Sequence, residues 1–311
     1  MKVTVVGAGF YGSTLAQRVA EGDYATEVVL TDVIEGKPQG LALDLMQSRP
    51  VVGFRTRVTG TNGYAEAAGS AVAVITAGVA RKPGMSRMDL LEVNARIVAD
   101  VTRRLLDVAP DAILIVVTNP LDEMTALAAE VSGLPRQRVV GQAGVLDTAR
   151  FSHFLAERTG VDPSQVKALT LGSHGETMVP VPSATWIGGR PLTAVLSVEA
   201  IHEIVTRTRD GGAEVVGLLK TGSAYFAPAA AAEAMVKAVL TPGTDVLPVS
   251  AWLDGEYGIA GVYLGVPVRL GPGGVEEIVQ LPLTEDELAA LHTAAAAVRV
   301  KQAEAVALAG R

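Results

Sequence analysis

The chain has 311 residues, enough for about two domains of roughly 150 residues each. It carries 26 Lys and Arg against 33 Asp and Glu, a net charge of −7, with 49% apolar and 19% charged residues. That composition builds a sizeable core, excludes disorder, and disfavours a nucleic-acid binder, which needs clustered cations. There is no cysteine, so disulfides, thiolate nucleophiles and cysteine-ligated metals are excluded.

In chain order, residues 3–6, 28–30, 72–76 and 113–117 form continuous apolar runs. Strands buried on both faces of a parallel sheet read this way. Helical spacing fills the gaps at 13–20, 36–46, 88–108 and 121–131. This order predicts a doubly wound parallel sheet of the Rossmann type with right-handed crossovers. The second half changes character. It predicts a helix at 147–159 and a strand at 167–171. A long helix from 198 to about 219 is interrupted at Gly211-Gly212, and another spans 227–240. Short antiparallel strands broken by glycine turns fill 246–279. A last helix opens on a Thr284/Glu287 capping box. The prediction is α/β overall, with a C-terminal α+β substrate domain. The boundary falls near Gly141–Gly144, giving a dinucleotide domain at 1–143 and a catalytic domain at 144–311.

The apolar run 3–6 passes straight into Gly7-Ala8-Gly9, so it reads as a strand rather than a secretory leader. The longest apolar runs, 71–80 and 112–117, fall short of the roughly 20 residues that span a bilayer. A soluble, cytoplasmic chain that binds neither membrane nor nucleic acid is the expectation.

Gly7-Ala8-Gly9-Phe10-Tyr11-Gly12 matches Gly-x-Gly-x-x-Gly between the first strand and the first helix, with Asp32 twenty residues on, at the end of the second strand. Gly7 permits the tight turn, Gly9 lets a pyrophosphate approach, and Gly12 allows close helix packing. Asp32 accepts from the adenosine ribose hydroxyls. A carboxylate there, followed by Val33 rather than Arg, repels a 2′-phosphate and favours NAD over NADP.

Of four histidines, His174 stands out, in Gly172-Ser173-His174-Gly175-Glu176 just past an apolar strand. Asp147 and Arg150, three apart at a predicted helix start, share one helical face. A helix cap and a surface ion pair account for them as well as a site does. The functional reading is a carboxylate that orients an imidazole beside a guanidinium that grips a substrate carboxylate. Residues 77–87, with Arg81, Lys82 and Arg87 among Gly and Pro, follow a strand's C-terminal end. They read either as a solvated basic loop or as a lid closing cations onto an anionic substrate. Asn119, at the end of another strand, can bond a ligand hydroxyl or carboxamide.

Together the glycine turn, Arg-Lys-Pro-Gly-Met-Ser-Arg at 81–87, Asn-Pro-Leu-Asp at 119–122, Gly-Gln-Ala-Gly-Val-Leu-Asp at 141–147, Gly-Ser-His-Gly-Glu at 172–176 and Lys-Thr-Gly-Ser-Ala-Tyr at 220–225 resemble the lactate/malate dehydrogenase family, over essentially the whole chain. The similarity is greatest to its bacterial lactate-dehydrogenase-like malate branch. The resemblance implies NAD-dependent oxidation of (S)-malate to oxaloacetate, in the tricarboxylic acid cycle, by a homodimer or homotetramer acting on a small dicarboxylate. It makes His174 the proton acceptor and Asp147 its orienting partner. Arg150 would bind the carboxylate next to the reacting carbon, Arg87 polarise the carbonyl, Asn119 hold the hydroxyl, and Arg81 set specificity. Phe10, Tyr11, Asn94, Val117, Thr118 and Asn119 would contact the dinucleotide, and the Asn119–Pro120 bond would be cis. Glu176 replaces the family's usual Asp, Thr148 its Ser or Ala, and Tyr11 its Val. A lactate or other 2-hydroxyacid dehydrogenase and a catalytically silent NAD-binding protein are the rival readings. A nucleotide-sugar type of Rossmann enzyme lacks its Tyr–Lys pair here.

Overall fold

The computed structural model describes residues 1–80, 86–241 and 243–309, without the side chains of residues 87 and 309. The first half alternates strand and helix: β1 (Lys2–Val6), α1 (Phe10–Gly22), β2 (Glu27–Thr31), α2 (Lys37–Val52), β3 (Arg57–Thr61), β4 (Val72–Ile75), α3 (Arg87–Val108), β5 (Ile113–Val116), α4 (Leu121–Ser132) and β6 (Val139–Gly141). The order across the sheet is β3-β2-β1-β4-β5-β6, parallel throughout. Burial on both faces explains the apolar runs: every residue of β4 and β5 is buried. The strand order reverses between β1 and β4, and a crevice opens there beyond the strands' carboxyl ends.

β3 and β6 are additions to the sequence reading. β3 is an edge strand with polar and glycine positions, and β6 has three residues, so neither carries a long apolar run. α2 extends past the predicted end at 46. It continues through Pro50 and stops at Gly53, whose N–H bonds the Arg49 carbonyl at 2.8 Å in a left-handed turn that suits glycine.

The second half continues with α5 (Gly144–Thr159), β7 (Val166–Lys167), β8 (Thr170–Gly172), β9 (Met178–Pro180), β10 (Trp186–Ile187), β11 (Arg190–Pro191), α6 (Val198–Leu219), α7 (Phe226–Leu240), β12 (Val246–Asp254), β13 (Ala260–Gly271), β14 (Gly274–Ile278) and α8 (Glu285–Ala309). The strand predicted at 167–171 is two strands. β7 joins β10 and β11 in a small sheet, while β8 pairs with β9 and β13. The region 246–279 holds three strands, two of them long. Gly265 within β13 does not mark a turn. A Cβ there would lie 2.4 Å from the Gly172 carbonyl oxygen, so glycine lets β8 come close. The two halves share one sheet, since β12 pairs antiparallel with β6 at Ser250 and Gly141. The capping box of α8 forms as expected, Glu287 N–H to Thr284 Oγ1 and Thr284 N–H to Glu287 Oε2. Among the described residues no helix is long and apolar enough to cross a membrane.

Candidate active site

The three glycines of the turn differ in what surrounds them. Gly7 has φ +106°, and a Cβ on it would lie 2.6 Å from Thr76 Oγ1. A Cβ on Gly12 would overlap the Gly7 carbonyl oxygen, so α1 packs directly on β1, whereas Gly9 has open space beside it. Asp32 completes the turn. Its Oδ2 accepts the Ala8 N–H at 2.6 Å and its Oδ1 the Ile34 N–H at 3.0 Å. A cleft of about 570 Å³ runs past Gly7, Gly9, Gly12 and Asp32. It shares Tyr11, Thr76, Gly78 and Val79 with a second cleft of about 550 Å³ that reaches Asn119, Arg150 and His174. One elongated cleft therefore joins the glycine turn to the titratable cluster.

That cluster centres on Asp147 in the first turn of α5, where its side chain is only 2% exposed. Oδ2 faces His174 Nδ1 at 2.8 Å and Oδ1 accepts from Arg150 Nη1 at 3.2 Å. The spacing of three within α5 aims both Asp147 and Arg150 at the loop after β8. Gly172 (φ +80°) and Gly175 (φ +157°) turn the chain there and swing His174 back to α5. Among the described residues, Nε2 of His174 has no hydrogen-bond partner, and the ring lines the cleft. Burial of the ring opposes its charged form. The charge and hydrogen bond of Asp147, with the charge of Asp122, outweigh both burial and Arg150. The imidazole pKa is therefore raised above its ordinary value of 6.5. The other three histidines are exposed.

α6 runs unbroken through Gly211-Gly212, contrary to the interruption expected from sequence. These glycines pack against Arg150: a Cβ on Gly211 would lie 3.2 Å from its Cδ, and one on Gly212 3.5 Å from Nη2. They make room for the guanidinium.

The remaining expected residues divide into three groups. Val117 and Asn119 line the cleft, with Asn119 exposed and the Asn119–Pro120 bond cis. Thr118 also lines it and donates to the Ala77 carbonyl at 2.7 Å. Asn94 lies behind the wall, 1% exposed. Its Oδ1 accepts the Val79 N–H, and its Nδ2 donates to the carbonyls of Val79 and Asn119, so it shapes the segments that form the cleft. Phe10 is 76% exposed and stacks on Tyr225 at 5.3 Å, across to the second half of the chain. Tyr11 donates to the Pro228 carbonyl at 2.8 Å, a second tie between the halves, and burial pushes its phenol pKa upward. Arg81 lies outside the described residues, as does the side chain of Arg87, whose main chain opens α3.

Two residues were missed. Gln142 is 3% exposed and lines the cleft, yet its Nε2 has no partner among the described residues. A buried donor left free at a cleft wall is available to a ligand acceptor or to water. Asp122 is the other, considered below. Both stand in motifs already quoted, but only the folded chain turns their side chains to the site. Among the described residues no cluster of three His, Asp or Glu could hold a metal ion.

A Rossmann sheet with a glycine turn at its first strand, joined by one cleft to an imidazole backed by a buried carboxylate and a guanidinium, defines an NAD-dependent oxidoreductase. Residues 1–141 match the NAD-binding domain of lactate/malate dehydrogenases, and residues 144–308 match their alpha/beta C-terminal domain. Malate dehydrogenases from Nostoc punctiforme and Thermomicrobium roseum are each 53% identical over 298 residues, covering 96% of this chain and 91% and 96% of theirs. The solved malate dehydrogenase from Salinibacter ruber is 47% identical with a TM-score of 0.94 over all of both chains. A Cryptosporidium parvum lactate dehydrogenase, solved with lactic acid and nicotinamide adenine dinucleotide, is 42% identical, also with a TM-score of 0.94, over 98% of this chain and 97% of its own. The chain belongs to the lactate/malate dehydrogenase family.

Proposed function

We propose that the chain catalyses the reversible NAD-dependent oxidation of (S)-malate to oxaloacetate, the malate dehydrogenase reaction. The observation that carries the reading is the sharing of the two Asp147 oxygens between His174 and Arg150. It ties the proton acceptor and the substrate-carboxylate anchor to one buried group. The names of the relatives support malate as the substrate.

The glycine turn, Gly7 through Gly12 with Ala8, Phe10 and Tyr11, and Asp32 fit a dinucleotide. Val117, Thr118 and Asn119 complete its wall, Asn94 holds that wall in place, and Gln142 Nε2 supplies an unpaired donor. Bound NAD supplies the two-electron acceptor. Arg150 anchors the carboxylate beside the reacting carbon as a planar fork, Arg81 the distal carboxylate. Asn119 holds the substrate hydroxyl. His174, neutral at the start, takes the hydroxyl proton on Nε2, and Asp147 stabilises the imidazolium that forms. In reduction the imidazolium and Arg87 together polarise the oxaloacetate carbonyl. Residues 1–143 serve as the dinucleotide domain and 144–311 as the catalytic domain. The working unit is a cytoplasmic homodimer or homotetramer in the tricarboxylic acid cycle, in keeping with the exposed Leu43, Val51 and Val52 of α2.

The test is NADH absorbance with oxaloacetate, with pyruvate, and with buffer alone. Oxidation with oxaloacetate at least about a hundredfold faster than with pyruvate supports the reading. Equal rates overturn the substrate assignment, and no oxidation with either 2-oxoacid leaves a silent dinucleotide binder.

A further inference from the structure

A second carboxylate reaches His174 from the side opposite the ring. Asp122, in the first turn of α4, is 3% exposed. Its Oδ2 accepts the His174 backbone N–H at 2.9 Å, and its Oδ1 accepts the Ser250 hydroxyl of β12 at 2.8 Å. Its own carbonyl accepts from Gln302 Nε2 of α8 at 3.1 Å. Gln302 in turn holds Tyr263 on β13, accepting its N–H at 3.1 Å and donating to its carbonyl at 2.8 Å. Three distant elements thus meet on one residue, and that residue holds the main chain of the proton-carrying loop.

We propose that Asp122 is a positioning residue for the proton-transfer step, fixing the His174 main chain and keeping a second negative charge behind the imidazole. The proposal rests on the dehydrogenase reading for its catalytic meaning, but the electrostatic claim stands on the geometry. Asp147 and Arg150 face His174 from α5. A small cavity of about 180 Å³ on its other side is lined by Asp122 and Glu123 of α4, Glu176 of the same loop and Lys301 of α8. The carboxylate that accepts the His174 main-chain N–H is that of Asp122.

A backbone amide could be held by a neutral acceptor, so the charge itself needs an explanation. Burial pushes the Asp122 carboxyl up to about 6, held down by the donors from His174 and Ser250 and raised further by Glu123. The two donors keep it ionised at neutral pH. The ionised group favours the imidazolium, the form that donates the proton to oxaloacetate.

Asn at this position separates geometry from charge. Its oxygen can accept the His174 N–H while its amide donates to the Ser250 hydroxyl. The experiment compares wild type, Asp122→Asn and Ser250→Ala by two readouts. One is the pH dependence of kcat/KM for oxaloacetate. The other is the His174 ring titration followed by NMR in the protein without substrate, assigned by its loss in His174→Gln. Loss of a charge that favours the imidazolium lowers the midpoint. The expected result for Asp122→Asn is a downward shift of roughly half a pH unit or more in both readouts, with KM for NADH unchanged. Ser250→Ala removes a donor, leaves Asp122 partly protonated near neutrality, and moves the midpoint the same way by less. A folded Asp122→Asn with both midpoints at the wild-type value overturns the proposal. If that variant does not fold, an unmoved midpoint in Ser250→Ala overturns it. A wild type without 2-oxoacid turnover defeats the dehydrogenase reading instead, and the ring titration still decides this one.

Discussion

Gly211 lies against Arg150 so closely that a Cβ on the glycine would stand 3.2 Å from the arginine Cδ. Glycine costs a helix interior about 1 kcal/mol relative to Ala, and α6 bears two in succession here. The guanidinium occupies the space they leave.

Gly211→Ala therefore pushes the Arg150 side chain aside by a few tenths of an ångström, which on its proposed role loosens the hold on the substrate carboxylate. Loss of about 1.4 kcal/mol from the carboxylate grip raises KM for oxaloacetate about tenfold, with KM for NADH unchanged. Gly217→Ala is the control. It lies in the same helix with nothing within 4 Å of its Cβ. That variant keeps its kinetics and gains up to about 1 kcal/mol of stability. Steady-state kinetics and thermal melts of the two variants check the pair, and an unchanged oxaloacetate KM in Gly211→Ala refutes the packing argument.

Asp147→Asn removes the strongest influence that raises the His174 pKa. The sign follows directly. Reduction needs the imidazolium, so its rate falls as pH rises through the raised pKa. Oxidation needs the neutral ring and rises through the same midpoint. The variant moves both midpoints to lower pH and lowers kcat by a factor on the order of 10²–10⁴. Rate–pH profiles in both directions check it, and a midpoint that stayed in place would mean Asp147 does not face the ring in the working enzyme.

Arg81→Gln shifts preference from oxaloacetate towards pyruvate. On the proposed specificity role, pyruvate offers the Arg81 charge no carboxylate; a charge left unpaired away from water costs about 3–5 kcal/mol, a discrimination of at least about a hundredfold. The ratio of kcat/KM for the two 2-oxoacids measures the effect. A variant that kept the wild-type ratio would remove Arg81 from the specificity role.

Stability carries a signature of Asp122. Its carboxyl rises from 3.8 to about 6 on folding, so the native state holds this proton more tightly and its penalty appears as pH climbs from about 4 to about 6. Asp122→Asn does not titrate. The melting temperature of the variant minus that of wild type should rise over that interval, and rise further above 6.5 as the wild type loses the larger His174 contribution. A difference independent of pH contradicts the raised carboxyl. His174 acts in the same direction at higher pH: its raised pKa stabilises fully below 6.5, and the contribution is lost as pH passes the folded-state value.

Much of the fold was legible because the signals were local. The runs at 72–76 and 113–117 are apolar on both faces, as central parallel strands must be, and β4 and β5 are fully buried there. The glycine turn was legible because two of its glycines answer local backbone requirements: Gly7 takes a positive φ, and Gly12 packs on the Gly7 carbonyl five residues back. β3 and β6 escaped because an edge strand and a three-residue strand need no apolar run. Gly211-Gly212 misled because a glycine pair reads the same whether it breaks a helix or clears space for a neighbour.

The glycine turn, the carboxylate at 32 and the three-residue spacing of Asp147 and Arg150 could be read along the chain, since backbone geometry over a few residues sets them. The tertiary structure alone decided that Asp147 lies 2.8 Å from an imidazole 27 residues away. It alone placed Asp122 against the same histidine across 52 residues and left the Gln142 amide unpaired. Those relations depend on which distant elements are packed together, and the field of a buried charge acts on whatever folding brings near, not on what is adjacent in the chain.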